Sequence, residues 1–176
     1  MYDMFRYDDK EIKVLLSSMV ILIDSREKEV LHIIEGFNSK KIKYEYVKLD
    51  FADYSFMIPA NEQLGISRDI YFNNEISIER KNSLEELSGN LTRGRDQFEN
   101  ELIRSKGKIV LLIENGSYLE IIYHSYKTQY NEKSYFASLM SFKARYNIDI
   151  QFIDSKFTWF LIYNKFYYYL RNYLKS

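Results

Sequence analysis

The residues best suited to chemistry lie together in one short segment, residues 76–81, which reads Ile-Ser-Ile-Glu-Arg-Lys. We predict that this segment is a β-strand, in which successive side chains point to opposite faces. Glu79 and Lys81 then share one face, and Arg80 lies on the other. A carboxylate can bind a hard divalent cation, and an ammonium group beside it can orient a water molecule or a phosphate oxygen. Burying such a pair for stability alone would cost more than it returns, so the pattern favours a reactive site.

More carboxylates precede this strand. Asp24 and Glu27 follow the apolar run 19–23, which is typical of a strand covered on both faces in an α/β sheet. Asp50 and Asp53 come next along the chain. An acid after a buried strand is often only a helix cap, so a catalytic and a structural role both stay open for Asp24 and Glu27. Spacing alone does not decide whether Asp50 or Asp53 is the metal ligand.

Several of these acids belong to short motifs that occur in order along the chain: Asp24-Ser25-Arg26-Glu27, Ala52-Asp53-Tyr54, and Glu79-Arg80-Lys81 followed by Glu85. They resemble the Asp-x-Arg-Glu, Gly-Asp-Tyr and Glu-Arg-Lys-x-x-x-Asp signatures of the XPF-type (ERCC4-domain) structure-specific nuclease family. Its members are metal-dependent nucleases of the PD-(D/E)xK type. Ala52 and Glu85 depart from the family pattern, which usually has Gly and Asp at these positions.

The resemblance implies both a fold and a metal site. The fold is α/β, with a mixed central sheet flanked by helices, of the restriction-endonuclease-like kind. Mg²⁺ or Mn²⁺ would bind to Asp53, Glu79 and Asp24. Glu27 would complete the site directly or through water. Only the similarity to Gly-Asp-Tyr favours Asp53 over Asp50 as the ligand.

The resemblance also implies roles for the basic residues. Lys81 would orient the attacking water or stabilise the developing negative charge. Arg26, Arg80 and Glu85 would support the catalytic groups, with Glu85 contacting Lys81 or Arg80. Arg26 and Arg80 are equally well explained as DNA phosphate ligands or as partners of the clustered acids.

Two further arginines follow the Glu-Arg-Lys motif. Arg93 and Arg95 lie near the predicted start of a helix, in a segment that resembles the Gly-Arg helix entry of the family. Backbone N–H groups and guanidinium can bind phosphate together at such a place, so both are candidate DNA-binding residues. A solvated surface role is the alternative for each.

Composition sets the limits on function. The chain has 176 residues, 25 basic and 25 acidic, and no cysteine. The absence of cysteine excludes thiolate sites and leaves oxygen and histidine ligands, which favours Mg²⁺ or Mn²⁺. We expect a soluble cytoplasmic protein with no membrane segment and no nucleotide cofactor, because long apolar runs and a phosphate-binding loop are absent. The wealth of Tyr, Lys, Asn and Ile suggests a low-GC bacterium or its phage.

Hydrophobic spacing predicts helices at 8–18, 29–40, 93–105, 118–125, 133–146 and 156–174, and another that begins after Ser83. Strands are predicted at 19–23, 42–49, 54–58, 69–72, 76–81, 108–114 and 149–153. We expect a capping box at Ser83 and Glu86. Residues 1–176 would form one nuclease domain, with a motif-bearing core at about 20–114 and a helical part at about 117–176.

The expected activity is metal-dependent cleavage of branched or flapped DNA. The alternatives are a catalytically inactive DNA-binding or recombination scaffold of the same fold, and a restriction-like enzyme that recognises sequence. We also expect a homodimer. The last predicted helix carries an apolar seam at steps of four and three, which indicates either core or a subunit interface: Trp159, Tyr163, Phe166, Leu170 and Tyr173.

Overall fold

The computed structural model describes residues 7–176. Within this range a seven-stranded sheet is covered on both faces by helices. The strands are β1 (Val20–Asp24), β2 (Lys43–Val47), β3 (Tyr54–Ile58), β4 (Ile70–Tyr71), β5 (Ile76–Lys81), β6 (Lys108–Glu114) and β7 (Asp149–Ile153). The helices are α1 (Asp9–Ser18), α2 (Leu31–Ser39), α3 (Leu84–Leu91), α4 (Arg95–Arg104), α5 (Tyr118–Ile122), α6 (Glu132–Tyr146) and α7 (Thr158–Lys175).

The sheet is mixed, as predicted. Its strand order is β2-β1-β3-β5-β6-β7, and β4 pairs with β3 beside this path. β1 is parallel to β2, β3 is antiparallel to β1, β4 and β5, and β5, β6 and β7 are parallel to one another. The carboxyl ends of β1 and β5 therefore lie at the same edge as the start of β3. This topology places all three acidic motifs at one edge of the sheet.

Each face of the sheet has its own hydrophobic core. On β6, Val110 and Leu112 pack with α1, α2 and α7, whereas Ile109, Leu111 and Ile113 pack with α3, α4 and α6. A strand covered on both faces needs apolar residues at every position, which explains the continuous apolar run of β6. The same alternation divides the polar end of β5 between the two layers.

The seam of α7 belongs mainly to the core of the chain itself. Ile162, Phe166 and Leu170 are fully buried, and the ring centroid of Phe166 lies 5.2 Å from that of Phe56 on β3. The expectation that Phe166 is buried between subunits is wrong, because its side chain already fills the core of a single chain. Within the predicted seam, the interpretation as core is confirmed for Phe166 and Leu170. Trp159 and Tyr163 are half-buried, and Tyr173 is 52% exposed.

The helices α2 and α7 pack closely at a glycine. A Cβ atom added at Gly36 would overlap the indole ring of Trp159. The sequence presents Gly36 as a weak position within the helix. The close approach of Trp159 gives a physical reason for glycine there, because a side chain would push the two helices apart.

Some boundaries differ from the prediction. α2 begins at Leu31 rather than at residue 29, because Glu29 has a positive φ of 54° and cannot continue a right-handed helix. The predicted capping box forms only in part. Ser83 Oγ accepts a hydrogen bond from Glu86 N, but the Glu86 carboxylate accepts from Asn82 N. No helix in residues 7–176 has the length and apolar character needed to cross a membrane.

Candidate active site

The acidic motifs meet in a cleft at the shared edge of β1, β3 and β5. Backbone hydrogen bonds place Asp53 between the strands, since Asp24 N donates to Asp53 O (2.8 Å) and Asp53 N donates to Ile78 O (3.0 Å). The cleft has a volume of about 240 Å³. The residues that line it come from the ends of β1 and β5, the segment before β3, and α4: Asp24, Arg26, Asp50, Phe51, Ala52, Asp53, Glu79, Glu101 and Arg104.

Glu79 and Lys81 form the buried pair that strand alternation predicts. Lys81 Nζ donates to Glu79 Oε1 at 2.7 Å, and it lies 5.0 Å from the ring centroid of Phe98 on α4. Burial raises the pKa of Glu79, although Lys81 acts in the opposite direction. Burial lowers the pKa of Lys81, but the charge of Glu79 outweighs this and the net shift is upward. Lys81 is therefore held as a cation.

Asp53 lies beside this pair and experiences a strongly negative environment. Its Oδ2 atom accepts a hydrogen bond from Arg80 N at 2.7 Å. Burial raises the pKa of Asp53 well above its ordinary value, and the charges of Glu79 and Glu27 raise it further. The fold thus brings carboxylates together without enough local positive charge to compensate them. A bound cation would relieve this repulsion.

The residue before Asp53 has an unusual backbone conformation. Ala52 has a φ of 60°, in the left-handed region that glycine adopts most readily. The resemblance places glycine at this position. The geometry explains that preference, and it shows that the chain keeps the turn despite the alanine.

Asp24 is enclosed by hydrogen bonds. Its Oδ1 accepts from Arg26 N and Nε, both at 2.8 Å, and its Oδ2 accepts from Arg26 Nη2 (3.0 Å) and Leu49 N (2.8 Å). Burial alone would raise the pKa of Asp24, but these bonds outweigh it and lower the pKa. An ionised carboxylate offers about four lone-pair sites. Four are occupied, so the arrangement favours contact with a metal through water over direct ligation by Asp24.

Arg80 lies on the opposite face of β5, as the alternation predicts. Its Nε atom donates to Glu27 Oε1 at 2.6 Å, and its Nη1 atom donates to Glu114 Oε2 at 3.1 Å. Tyr54 also donates to Glu27 Oε1, at 3.3 Å. Of the two alternatives for Arg80, the structure supports pairing with acids. Glu27 contacts Arg80 and is absent from the residues that line the cleft.

Glu114 ends β6, is 2% exposed and is not among the site residues predicted from the sequence. Besides Arg80, it contacts His32 Nε2 (2.8 Å) and Thr158 Oγ1 (2.6 Å), so it joins β5 to α2 and α7. The available signal was an acid at the end of an apolar strand, which is the same signal that singled out Asp24. Glu101 and Arg104 of α4 also escaped notice, because nothing in a helix pattern shows which residues will face a distant strand.

Other predicted residues lie away from the cleft. Glu85 accepts a hydrogen bond from Lys127 N at 2.8 Å, and no hydrogen bond within residues 7–176 joins it to Lys81 or Arg80. Arg95 packs over Phe142, with its guanidinium carbon 4.9 Å from the ring centroid, so its side chain is largely committed to α6. Arg93 is exposed in the turn between α3 and α4. The cleft residue Arg26 is exposed and spans Asp24 and Leu49 O.

The donor set limits the kind of metal site. No group of three or more His, Asp or Glu side chains in residues 7–176 is arranged to hold a metal ion. Mg²⁺, however, commonly binds through one or two carboxylates and keeps several waters. Asp53 and Glu79 fit that mode, because each has one carboxylate oxygen outside the hydrogen bonds described above. Asp24, and Asp50 at the exposed rim, could contact the hydration shell.

The mixed sheet, its helical layers and the Glu-x-Lys strand end at its centre define the restriction-endonuclease-like class of nuclease folds. Known protein families identify the chain more narrowly than this fold class does. The ERCC4 domain model matches residues 23–164. The chain therefore belongs to the ERCC4 domain family. The match extends beyond the motifs and includes the start of α7.

Solved structures confirm the fold. XPF from Aeropyrum pernix has a TM-score of 0.61 and 18% identity, and the match covers 89% of this chain and 62% of that one. XPF from Aeropyrum pernix in complex with DNA has a TM-score of 0.62 and 17% identity, covering 87% and 66%. The chain thus spans slightly less than two thirds of the length of these proteins. No curated protein matches it.

Proposed function

We propose that the protein is a divalent-metal-dependent endonuclease that hydrolyses phosphodiester bonds in branched or flapped DNA. The observation that carries the proposal is the cleft in which Asp53, with its raised pKa, lies beside the buried Glu79–Lys81 pair. A buried ion pair is a poor source of stability, so its place at a cleft of acids supports a chemical role. Membership of a nuclease family and the DNA complex of the Aeropyrum protein support DNA as the substrate.

Each residue has a defined task in this mechanism. Asp53 and Glu79 would hold Mg²⁺ or Mn²⁺, and Asp24 would contact its hydration shell. When bound, the cation would polarise the scissile phosphate as a Lewis acid and make a coordinated water more acidic. Lys81 stays protonated because Glu79 raises its pKa, so it donates hydrogen bonds to the phosphate or the attacking water and stabilises developing negative charge.

Supporting residues set the geometry. Arg80 N holds Asp53 Oδ2, and the Arg80 side chain is clamped by Glu27 and Glu114. The bond from Arg80 N ties β5 to the segment that carries Asp53, and the side-chain clamp ties β5 to the loop after β1 and to the end of β6. On the cleft side, the guanidinium of Arg26 fixes the orientation of the Asp24 carboxylate. In this scheme Glu27 acts through Arg80 and does not ligate the cation.

The proposal is tested by a substrate panel. Hairpin, flap, fork, four-way junction and plain duplex DNA are incubated with the protein in Mg²⁺, in Mn²⁺ and in EDTA. We expect cleavage of at least one branched substrate with a metal and none in EDTA, with plain duplex cut more slowly. Cleavage that persists in EDTA would contradict the metal-dependent mechanism. Equal cleavage of every substrate would contradict the preference for branched DNA.

An inactive DNA-binding scaffold is the second candidate. The observation that favours it is the lack of a three-ligand metal cluster in residues 7–176. The same panel separates the candidates, because a scaffold would shift branched DNA in a binding gel without nicking it in either metal. We also propose that the protein acts in the cytoplasm and as a homodimer. On α7, Phe160 and Tyr168 remain exposed, at 52% and 53%, and supply the apolar surface for such pairing.

A further inference from the structure

The cations around the cleft differ in how firmly they are bound to protein acids. Lys81 is paired with Glu79, and Arg80 with Glu27 and Glu114. Arg26 donates to both oxygens of Asp24 and to Leu49 O. Arg104 lines the same cleft but has no hydrogen-bond or ion-pair partner in the part of the chain that the structure describes. Among the three arginines, Arg104 is therefore the one whose guanidinium makes no contact with a protein acid in the described residues.

The cleft carries an excess of negative charge, which would repel an anionic substrate unless cations offset it. Five acidic residues line it against two basic ones: Asp24, Asp50, Asp53, Glu79 and Glu101 against Arg26 and Arg104. A divalent cation offsets only part of this excess when a phosphodiester approaches. A further cation at the rim would reduce the remaining repulsion. Arginine suits the task, because its planar fork matches the oxygens of a phosphate.

The position of Arg104 favours contact with DNA over a purely local role. It lies in the last turn of α4, where a basic residue also complements the helix dipole. A role at the dipole alone would not require the side chain to line the cleft. Glu101, one turn earlier, lines the same cleft. Asp24 makes the largest contribution to the raised pKa of Arg26, and Glu101 makes a smaller one. This face of α4 thus lines the cleft together with the Asp53 segment.

We propose that Arg104 binds a phosphate of the cut strand next to the scissile one, and so sets the position of the strand in the cleft. This inference rests on the proposed nuclease function. Arg104 is then a substrate-binding residue, while Asp53, Glu79 and Lys81 carry the chemistry. Its removal should weaken DNA binding and raise KM but leave kcat nearly unchanged, since the contact is the same in the ground state and the transition state.

The test measures DNA affinity as a function of salt in EDTA, with the branched substrate that the wild-type protein cuts fastest. We expect Arg104→Ala to bind about fivefold more weakly and to reduce the slope of log Kd against log salt by about 0.9, the value for one lost phosphate contact. Arg104→Lys should recover most of the slope. Arg68→Ala is the matched control, because Arg68 is exposed in the segment between β3 and β4, and β3 has its start, not its end, at the cleft.

The outcomes separate the inference from the proposed function. Wild-type cleavage together with an unchanged affinity and slope in Arg104→Ala would overturn the inference alone. A fall in kcat at unchanged Kd would also overturn it, since Arg104 would then act in the chemical step. Failure of the wild-type protein to bind any branched DNA would overturn both. Thermal melting of each variant checks that the substitution of an exposed residue leaves the fold intact.

Discussion

Asp53 carries a carboxyl group whose charge the fold disfavours in the absence of a cation. Its pKa is raised by burial and by the charges of Glu79 and Glu27, whereas in the unfolded chain its pKa should be about 3.9. Between these two values the native state binds more protons than the unfolded state. The free energy of unfolding therefore falls as pH rises through this window. Metal binding needs the ionised form, so the stabilisation by Mg²⁺ should grow with pH over the same window.

The substitution Asp53→Asn tests this account, because it removes the charge and keeps an oxygen for Arg80 N. We expect the metal-free variant to melt at a higher temperature than wild type at pH 8, to lose the pH-dependent decline, and to show no shift in melting temperature with Mg²⁺. Thermal melts from pH 4 to 9, with EDTA or Mg²⁺, measure all three. The same decline in wild type and variant would show that another group is responsible.

Asp50→Asn is the control for that experiment. Asp50 is exposed at the rim of the cleft, so its variant should keep the wild-type pH curve and lose much less cleavage activity. Equal losses of cleavage in the two variants would show that the choice of Asp53 as ligand was arbitrary.

Ala52 offers a stability prediction at a neighbouring position. A left-handed φ costs a non-glycine residue roughly 1–2 kcal/mol, part of which is offset by the greater freedom of glycine in the unfolded chain. Ala52→Gly should therefore raise the free energy of unfolding by about 0.5–1 kcal/mol. Urea denaturation measures it. Ala137→Gly in the exposed face of α6 is the control and should lower stability by about 0.5–1 kcal/mol; a loss in both variants would argue against strain at Ala52.

The sequence predicts the arrangement of site residues correctly where that arrangement depends on the local geometry of one strand. Strand alternation alone placed Glu79 and Lys81 together and Arg80 apart. Glu114 and Arg104 could not be found in this way, because their neighbours lie tens of residues away in the chain. Glu85 and Arg95 were placed by motif similarity, but the structure shows that Lys127 N and Phe142 are their partners.

The contact between α2 and α7 predicts how a substitution at Gly36 changes the free energy of unfolding. Gly36→Ala would force its new Cβ into the ring of Trp159, and overpacking of this kind costs about 1–3 kcal/mol. Gly89→Ala in α3 is the matched control, since its Cβ would meet no described atom within 4 Å, and should be neutral or stabilising by up to about 1 kcal/mol. Chemical denaturation distinguishes the two. A stabilised Gly36→Ala would mean that the helices do not approach closely here.

Elements were predictable where one residue period dominates. The run 108–114 reads as a strand because both of its faces are apolar, and β6 is found at Lys108–Glu114. The sheet order β2-β1-β3-β5-β6-β7 depends on pairings between distant segments, which no local pattern encodes. The start of α2 differs from the prediction because Glu29 has a positive φ, which hydrophobic spacing does not reveal.

Substitutions on the exposed face of α7 test whether the protein is a homodimer. The exposed residues Phe160 and Tyr168 lie about two turns apart on one side of the helix. We expect the mass of two chains in light scattering at micromolar concentration, and a tenfold or greater weakening of the dimer in Tyr168→Asp at unchanged melting temperature. A mass of one chain for the wild-type protein would contradict the proposal. Phe166→Asp should instead unfold the chain, because Phe166 is fully buried.

We propose that the Glu79–Lys81 pair at the cleft carries out metal-dependent hydrolysis of DNA. The most direct measurement compares single-turnover cleavage of branched DNA by the wild-type protein, Glu79→Gln and Lys81→Ala in Mg²⁺, with circular dichroism as the check on folding. We expect both variants to fold and to bind the substrate, and to lose at least about a hundredfold in cleavage rate. A wild-type protein that binds branched DNA but never nicks it with Mg²⁺ or Mn²⁺, or a Glu79→Gln variant that cleaves at the wild-type rate, would contradict it.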